Sequence, residues 1–192
     1  MSASIRLATE ADAPRILDIY APIVEETAIS FEYEVPSEDE MRQRIRSKLE
    51  HHVWLVMEHD DLLMGYAYAG RWRDRAAYDW TVETTVYVNA AAQRSGVGRS
   101  LYGKLFQVLR LQGYVQAVAG ATLPNDASVG LHLAVGFTST GVTHHAGYKF
   151  GQWHDVGFFE MTLQPPPDVT TPTRDVASLV GTTDWKSIVF SR

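Results

Sequence analysis

Anion binding is the first chemistry this sequence offers. The run Gln93-Arg94-Ser95-Gly96-Val97-Gly98 follows Thr85 to Val88, where β-branched and aromatic residues fill every position, and it directly precedes a helical pattern. A strand, a glycine-rich turn and a helix start, in that order, form a cradle. Glycine lets the backbone approach a ligand, successive N–H groups point the same way, and the helix dipole favours negative charge. Arg94 and Arg99 place cationic side chains beside it. The run is neither the dinucleotide fingerprint, because its third glycine is missing, nor a Walker A loop, because no Gly-Lys-Ser/Thr follows. Ahead of it stand Arg73 and Arg75, whose planar guanidinium groups suit a carboxylate, a surface ion pair being the plainer role for Arg73. Tyr78, Glu83 and Tyr87 interrupt the simple in-and-out pattern of the strand that leads to the cradle. The histidines offer less. His51-His52 and His144-His145 are adjacent pairs whose side chains diverge, and no H-E-x-x-H is present, so no metal site is expected.

The elements that must position these groups can be read in order. Ser4 to Leu7 is a short alternating strand. Thr9 and Asp12 form a T-x-x-D start for a helix with Ile16, Ile19, Tyr20 and Ile23 at helical spacing. Glu25 to Val35 has no period and reads as a loop, with Phe31 as its anchor on the core. Ser37 and Glu40 make a capping box. The helix behind it buries Met41, Ile45 and Leu49 and leaves Arg42, Arg44, Arg46 and Lys48 as a mostly solvated face. Val53 to Met57 and Leu62 to Ala69 are strands joined through His59-Asp60-Asp61. Tyr78 to Val88 is a long strand with Trp80, Val82, Thr84, Val86 and Val88 on one face. Leu101, Leu105, Val108 and Leu109 then mark a helix that stops at Gly113. Val115 to Ala121 is a strand, Leu123-Pro124-Asn125-Asp126 breaks it, and a short helix runs to about Val135. Phe137 onward and Asp155 to Leu163 are two more strands, separated by Gly141 to His154. The order β-α-α-β-β-β-α-β-α-β-β predicts an α/β fold, a mixed central sheet with helices on both faces. At Pro165 the composition changes, so residues 1–164 are expected to form the domain and 165–192 a Pro/Thr-rich tail, packed on the surface or on a partner.

The totals narrow the function. A chain of 192 residues with 45% hydrophobic and 21% charged residues fits one soluble domain with a full-sized core. A net charge of −6 and no long basic run speak against a nucleic-acid partner. Without cysteine there is no disulfide, thiolate nucleophile or Cys-ligated metal. No apolar run is long enough to span a membrane and no signal-peptide core precedes Arg15, so the expected location is the cytoplasm.

The pattern Q/R-x-x-G-x-G/A after a strand resembles the pyrophosphate loop of the GCN5-related N-acetyltransferases, the GNAT family. Four stretches are similar to its phosphinothricin and methionine sulfoximine acetyltransferase branch: AAYDWTVETTVYV (76–88), QRSGVGRSLY (93–102), GATLPNDASVGLHLAVGF (120–137) and AGYKFGQWHDVGF (146–158). The resemblance implies the acyl-coenzyme A fold, with its fourth and fifth strands splayed around the thioester. It implies acetyl-coenzyme A as co-substrate, with coenzyme contacts at Val86, Tyr87 and Val88 through backbone edges and at Arg94, Ser95, Gly96, Val97, Gly98 and Arg99 for the pyrophosphate. Asn125 and Ser128 are implied along the pantetheine arm; as ordinary cap residues they also fit a helix start.

Acetyl transfer requires a neutral amine, and Glu83 matches the family's general base. A carboxylate among apolar strand residues holds a proton more readily, which suits that task; a solvated strand glutamate is the alternative. His132 matches a second histidine near the site, either in a proton relay or bonded to a backbone carbonyl. Tyr87 is implied as the proton donor to the departing thiolate or as a packing residue. Phe31, Arg73, Arg75, Tyr78 and Val156 align with the substrate side. The implied acceptor is the α-amine of a small amino acid analogue, in a homodimer. A peptide N-terminal acetyltransferase and a non-catalytic coenzyme-binding module are the competing functions.

Overall fold

The structure is a computed structural model describing residues 3–189; residues 1–2 and 190–192, the outermost ends of the domain and tail read above, lie outside it. Seven strands form one sheet in the order β1-β2-β3-β4-β5-β7-β6. These are β1 (Ser4–Leu7), β2 (Trp54–His59), β3 (Leu62–Arg71), β4 (Thr81–Val88), β5 (Gln116–Leu123), β6 (Thr138–Lys149) and β7 (Gln152–Thr162). The helices are α1 (Ala13–Glu26), α2 (Glu38–His51), α3 (Val97–Gln112), α4 (Asp126–Ala134), α5 (Val176–Leu179) and α6 (Thr183–Val189). Among the described residues no helix is long and apolar enough to cross a membrane.

Strand alternation divides the core in two. Val53, just before β2, and Leu55 on it point into the cluster built around Leu101, Leu105 and Leu109 of α3, while Trp54 and Val56 point into the cluster built around Ile16, Ile19, Met41 and Ile45 of α1 and α2. Each such leucine or isoleucine, fully withdrawn from water, contributes about 1.5–3 kcal/mol of burial. The sheet is therefore apolar on both faces and sandwiched between helix layers. The α2 start is fixed by its capping box: the Ser37 N–H donates to Glu40 Oε2 at 2.7 Å and the Glu40 N–H donates to Ser37 Oγ at 3.3 Å. A cap of this kind contributes on the order of 1 kcal/mol.

All strands but one pair are antiparallel. The exception, β4 with β5, pairs in parallel only over Thr81–Glu83 and Gln116–Val118. Beyond Glu83, β4 continues to Val88 against β3, and β5 continues to Leu123 against β7, so the two strands part. This is the splay that the sequence resemblance implied.

Three sequence expectations change. Tyr78 opens not a strand but the end of a 3-10 turn, Ala76–Tyr78, and β4 starts at Thr81. Gly141 to His154 is not a connection: β6 and β7 run through it as one hairpin, turning at Phe150 and Gly151, both at positive φ. Register shifts at Ser139/Gly141 and Thr143/Gly147 break the two-residue alternation there, which hides the strand from a periodicity reading. Finally, helices α5 and α6 follow residue 164. Val176, Leu179, Trp185 and Val189 are buried in the same cluster as the α3 stripe, and the Trp80 indole donates to Thr171 O at 2.8 Å.

Candidate active site

Between the parted strands lies a narrow cleft of about 80 Å³. Its walls are Thr84 to Tyr87 of β4, Gly120 to Thr122 of β5, and Asn125, Ser128 and His132 from the start and body of α4. On this side, the β4 backbone edge from Thr84 to Val88 has no strand partner. The Thr84 hydroxyl, donating to Val118 O at 3.2 Å, spans the last point of contact. The α3 N-terminus lies against the end of β4: a Cβ at Gly98 would come within 3.5 Å of Val88 Cγ2 and 2.8 Å of Leu131 Cδ2. Gly96 precedes this helix at φ +87°, a left-handed conformation with open space around its Cα. The first helical bond of α3 is from Ser100 N to Gly96 O, so the N–H groups of Val97, Gly98 and Arg99 have no partner within the helix. Arg94 is at φ +60° and exposed, as is Arg99. The Ser95 hydroxyl is used inside the turn, donating to Ala92 O at 2.6 Å.

On the other face of β4 a second recess, of about 480 Å³, lies between α2 and the sheet. Register explains its lining. Trp54 pairs with Tyr68, Tyr66 with Tyr87, and Gly70 with Glu83, so these residues share one face. Tyr87 lines both recesses and packs edge-on against Tyr20 at 5.3 Å. Burial pushes its hydroxyl well above the ordinary tyrosine range, so it keeps its proton. Glu83 lines the cleft and is exposed, not enclosed by apolar side chains as its strand neighbours suggested; those neighbours face the α3 side. His132 is buried. Its Nδ1–H donates to Ser128 O at 2.7 Å, and its Nε2 accepts from the Tyr102 hydroxyl at 3.0 Å. Burial lowers its pKa, so the neutral ring fits both contacts. Asn125 Oδ1 accepts from Ser128 N at 3.0 Å and caps α4.

A family model for the acetyltransferase (GNAT) domain matches residues 5–157. The chain belongs to the GNAT acetyltransferase family. It is 41% identical to phosphinothricin N-acetyltransferase of Streptomyces viridochromogenes over 174 residues, 90% of this chain and 95% of that protein. It is 35% identical to the L-methionine sulfoximine/L-methionine sulfone acetyltransferase of Salmonella typhimurium over 161 residues, 83% of this chain and 94% of that one. Among solved structures, a GNAT superfamily phosphinothricin acetyltransferase from Sinorhizobium meliloti, in complex with AcCoA, superposes with a TM-score of 0.82 at 31% identity, covering 90% of this chain and 94% of that one.

In this GNAT chain the sequence-predicted residues fall into groups. Glu83, Val86, Tyr87, Asn125, Ser128 and His132 line the cleft, and Val88 and Arg94 to Arg99 gather at the α3 start. Val156 of β7 pairs with Thr122 in the cleft wall. Phe31 is half-buried and packs over Gly147 of β6, where a Cβ would collide with its ring, and not in either core cluster, so it does not anchor its loop on the core. Arg73, Arg75 and Tyr78 line neither recess; Arg73 stacks on the Trp72 ring at 4.5 Å. Sequence reasoning passed over Tyr102, which lines the cleft, and most of the larger recess, although GYAYAG places Tyr66 and Tyr68 on one face by simple alternation. It also set Lys48 on a solvated face. Lys48 instead turns inward, because Gly70 has no side chain to occupy the space.

Proposed function

We propose that this GNAT chain moves an acetyl group from acetyl-coenzyme A to the α-amine of a small amino acid analogue such as phosphinothricin, methionine sulfoximine or methionine sulfone. The observation that carries this reading is the parting of β4 from β5 directly after Glu83, beside a helix that starts at a left-handed glycine. The fit to the coenzyme is good. The open β4 edge at Val86 to Val88 suits the amides of the pantetheine arm, and the small walls Gly120 and Ala121 leave room for it. The free N–H groups of α3, with Arg94 and Arg99, suit a pyrophosphate. When bound, the coenzyme supplies an acetyl group activated as a thioester.

The chain's own residues then have separable tasks. Glu83 takes the proton of the substrate ammonium and leaves a nucleophilic amine. The Tyr87 hydroxyl, held protonated by burial, gives its proton to the departing sulfur. His132, neutral and fully bonded, steadies the cleft wall through Tyr102. Phe31 and Val156 bound the far side, with Arg73, Arg75 and Tyr78 at the approach. The reading includes a cytoplasmic homodimer; the exposed Tyr148, Phe150 and Trp153 of the β6–β7 hairpin support the second copy, and a solution mass measurement checks it.

Thiol release from acetyl-coenzyme A, measured with free amino acid analogues and with a short peptide, tests the assignment. Release with phosphinothricin or methionine sulfoximine and not with the peptide is expected. Release with the peptide alone identifies a peptide acetyltransferase, and coenzyme binding without release to any amine identifies a binding module.

A further inference from the structure

We infer that the recess under α2 receives the amino acid, and that the Lys48 ammonium takes its α-carboxylate. The inference rests on the acetyltransferase reading and adds to it the cation that selects a free amino acid.

Volume and lining come first. About 480 Å³ lies within the range of small-molecule sites and far exceeds the space in the coenzyme cleft. Its walls combine aromatic rings with two cations, Arg44 and Lys48. Arg44 is already matched: Glu32 binds it at two points, 2.7 and 3.1 Å, and Tyr20 OH adds a third bond to that carboxylate. Lys48 is different. It has no hydrogen-bond or ion-pair partner among the described residues. Its Nζ is held over the Tyr68 ring, 5.6 Å from the centroid, and against Gly70, where any Cβ would collide with it. The Trp54 indole N–H is a second unmatched donor. Trp54 is 3% exposed, lines the same recess, and has no acceptor for its indole N–H among the described residues.

The position of Lys48 gives the substrate class. Gly70 is the register partner of Glu83, so Lys48 and the proposed base occupy the same face of the same strand pair. Burial pushes the Lys48 ammonium towards losing its proton, and the Glu83 charge opposes this. A base and a cation side by side match the two ends of one zwitterion, whose amine and carboxylate are attached to the same carbon. The ammonium meets Glu83 and the carboxylate meets Lys48. A peptide N-terminus has an amide where this site offers a cation.

The experiment compares wild-type enzyme with Lys48→Met and Lys48→Arg, using L-methionine sulfoximine and its methyl ester at saturating acetyl-coenzyme A. For the free acid, Lys48→Met is expected to raise KM by about ten- to a hundredfold, the loss typical of a charge-assisted contact. Lys48→Arg should recover part of it. The ester should be as poor a substrate for the wild type as the acid is for Lys48→Met, and the two losses should not add. That comparison uses unmutated protein, so it stands even if the variant folds badly. An equal loss on acid and ester, a fall in kcat at unchanged KM, or no change at all would overturn the carboxylate anchor while leaving the acetyltransferase reading intact. Wild-type enzyme that acetylates none of the analogues would overturn both.

Discussion

The two recesses meet at Tyr87 and are built from different materials. The β4–β5 cleft is walled mainly by backbone edges, small residues and a helix end, with Glu83, Tyr102 and His132 among them; the α2 recess is walled by aromatic rings and charged side chains. Backbone recognition suits a long, repetitive, uncharged arm, because every residue along a strand presents the same donor and acceptor. Side-chain recognition suits a small molecule that must be distinguished from others of similar size. On the proposed reading, the chain recognises its shared co-substrate with main chain and its particular substrate with side chains. Glu83 is the last residue of β4 that pairs with β5; it lines the cleft and lies on the sheet face that carries the α2 recess.

The largest expected effect follows from that position. Glu83→Gln should lower kcat by about 10²–10⁴-fold, the usual contribution of general-base catalysis, with little change in KM for acetyl-coenzyme A. The loss should shrink as pH rises, because the amine then loses its proton without help. Stopped-flow or steady-state rates over a pH series check this. A variant with near-normal kcat at neutral pH would show that the amine reaches its neutral form without Glu83.

A smaller effect should separate the recesses. Gly96 is at φ +87°, where a β-branched side chain is strained, yet the space around it is open. Gly96→Val should therefore distort the turn without overpacking the core. A left-handed non-glycine residue costs about 1–2 kcal/mol, which corresponds to roughly a tenfold rise in KM for acetyl-coenzyme A. KM for the amino acid should not move. A change in the amino acid constant instead would mean that the α3 start serves the other recess. Gly98 is a poorer probe, since a side chain there would press on Leu131 and disturb packing as well as binding.

This contrast also explains what could be read from the sequence. The strand, glycine turn and helix start, and then the Asn125 cap in LPNDAS, were legible because each is written in local order. The element order through β7 was legible because each helix has a period, a cap or a stop. The α2 recess was not, because it depends on register. Lys48 belongs to a run of basic residues that looks solvated along the helix, and only the pairing of Gly70 with Glu83 brings its ammonium over an empty position on β3. The helices after residue 164 escaped notice for a related reason. Val176, Leu179, Trp185 and Val189 are thinly spread among polar residues, and their partners on the α3 side are distant in sequence. The enclosure of Glu83 was misjudged because apolar neighbours on a strand face the opposite side.

The smallest expected effect decides between two cation sites. Arg75 has the right group for a carboxylate and lies shortly before β4, but it is exposed and lines neither recess. A solvated ion contact contributes about 0.2–1 kcal/mol, so Arg75→Ala should raise KM for the amino acid by no more than about fivefold. Salt should erase most of that difference, because exposed charges are screened within about 8–10 Å at ordinary ionic strength. The larger loss in Lys48→Met, from a partly enclosed contact, should persist at the same salt. Measuring both variants at low and high salt ranks the two cations directly. If Arg75→Ala costs as much as Lys48→Met and the loss survives salt, the carboxylate is held at the approach to β4. The side-chain recess would then read the substrate tail alone.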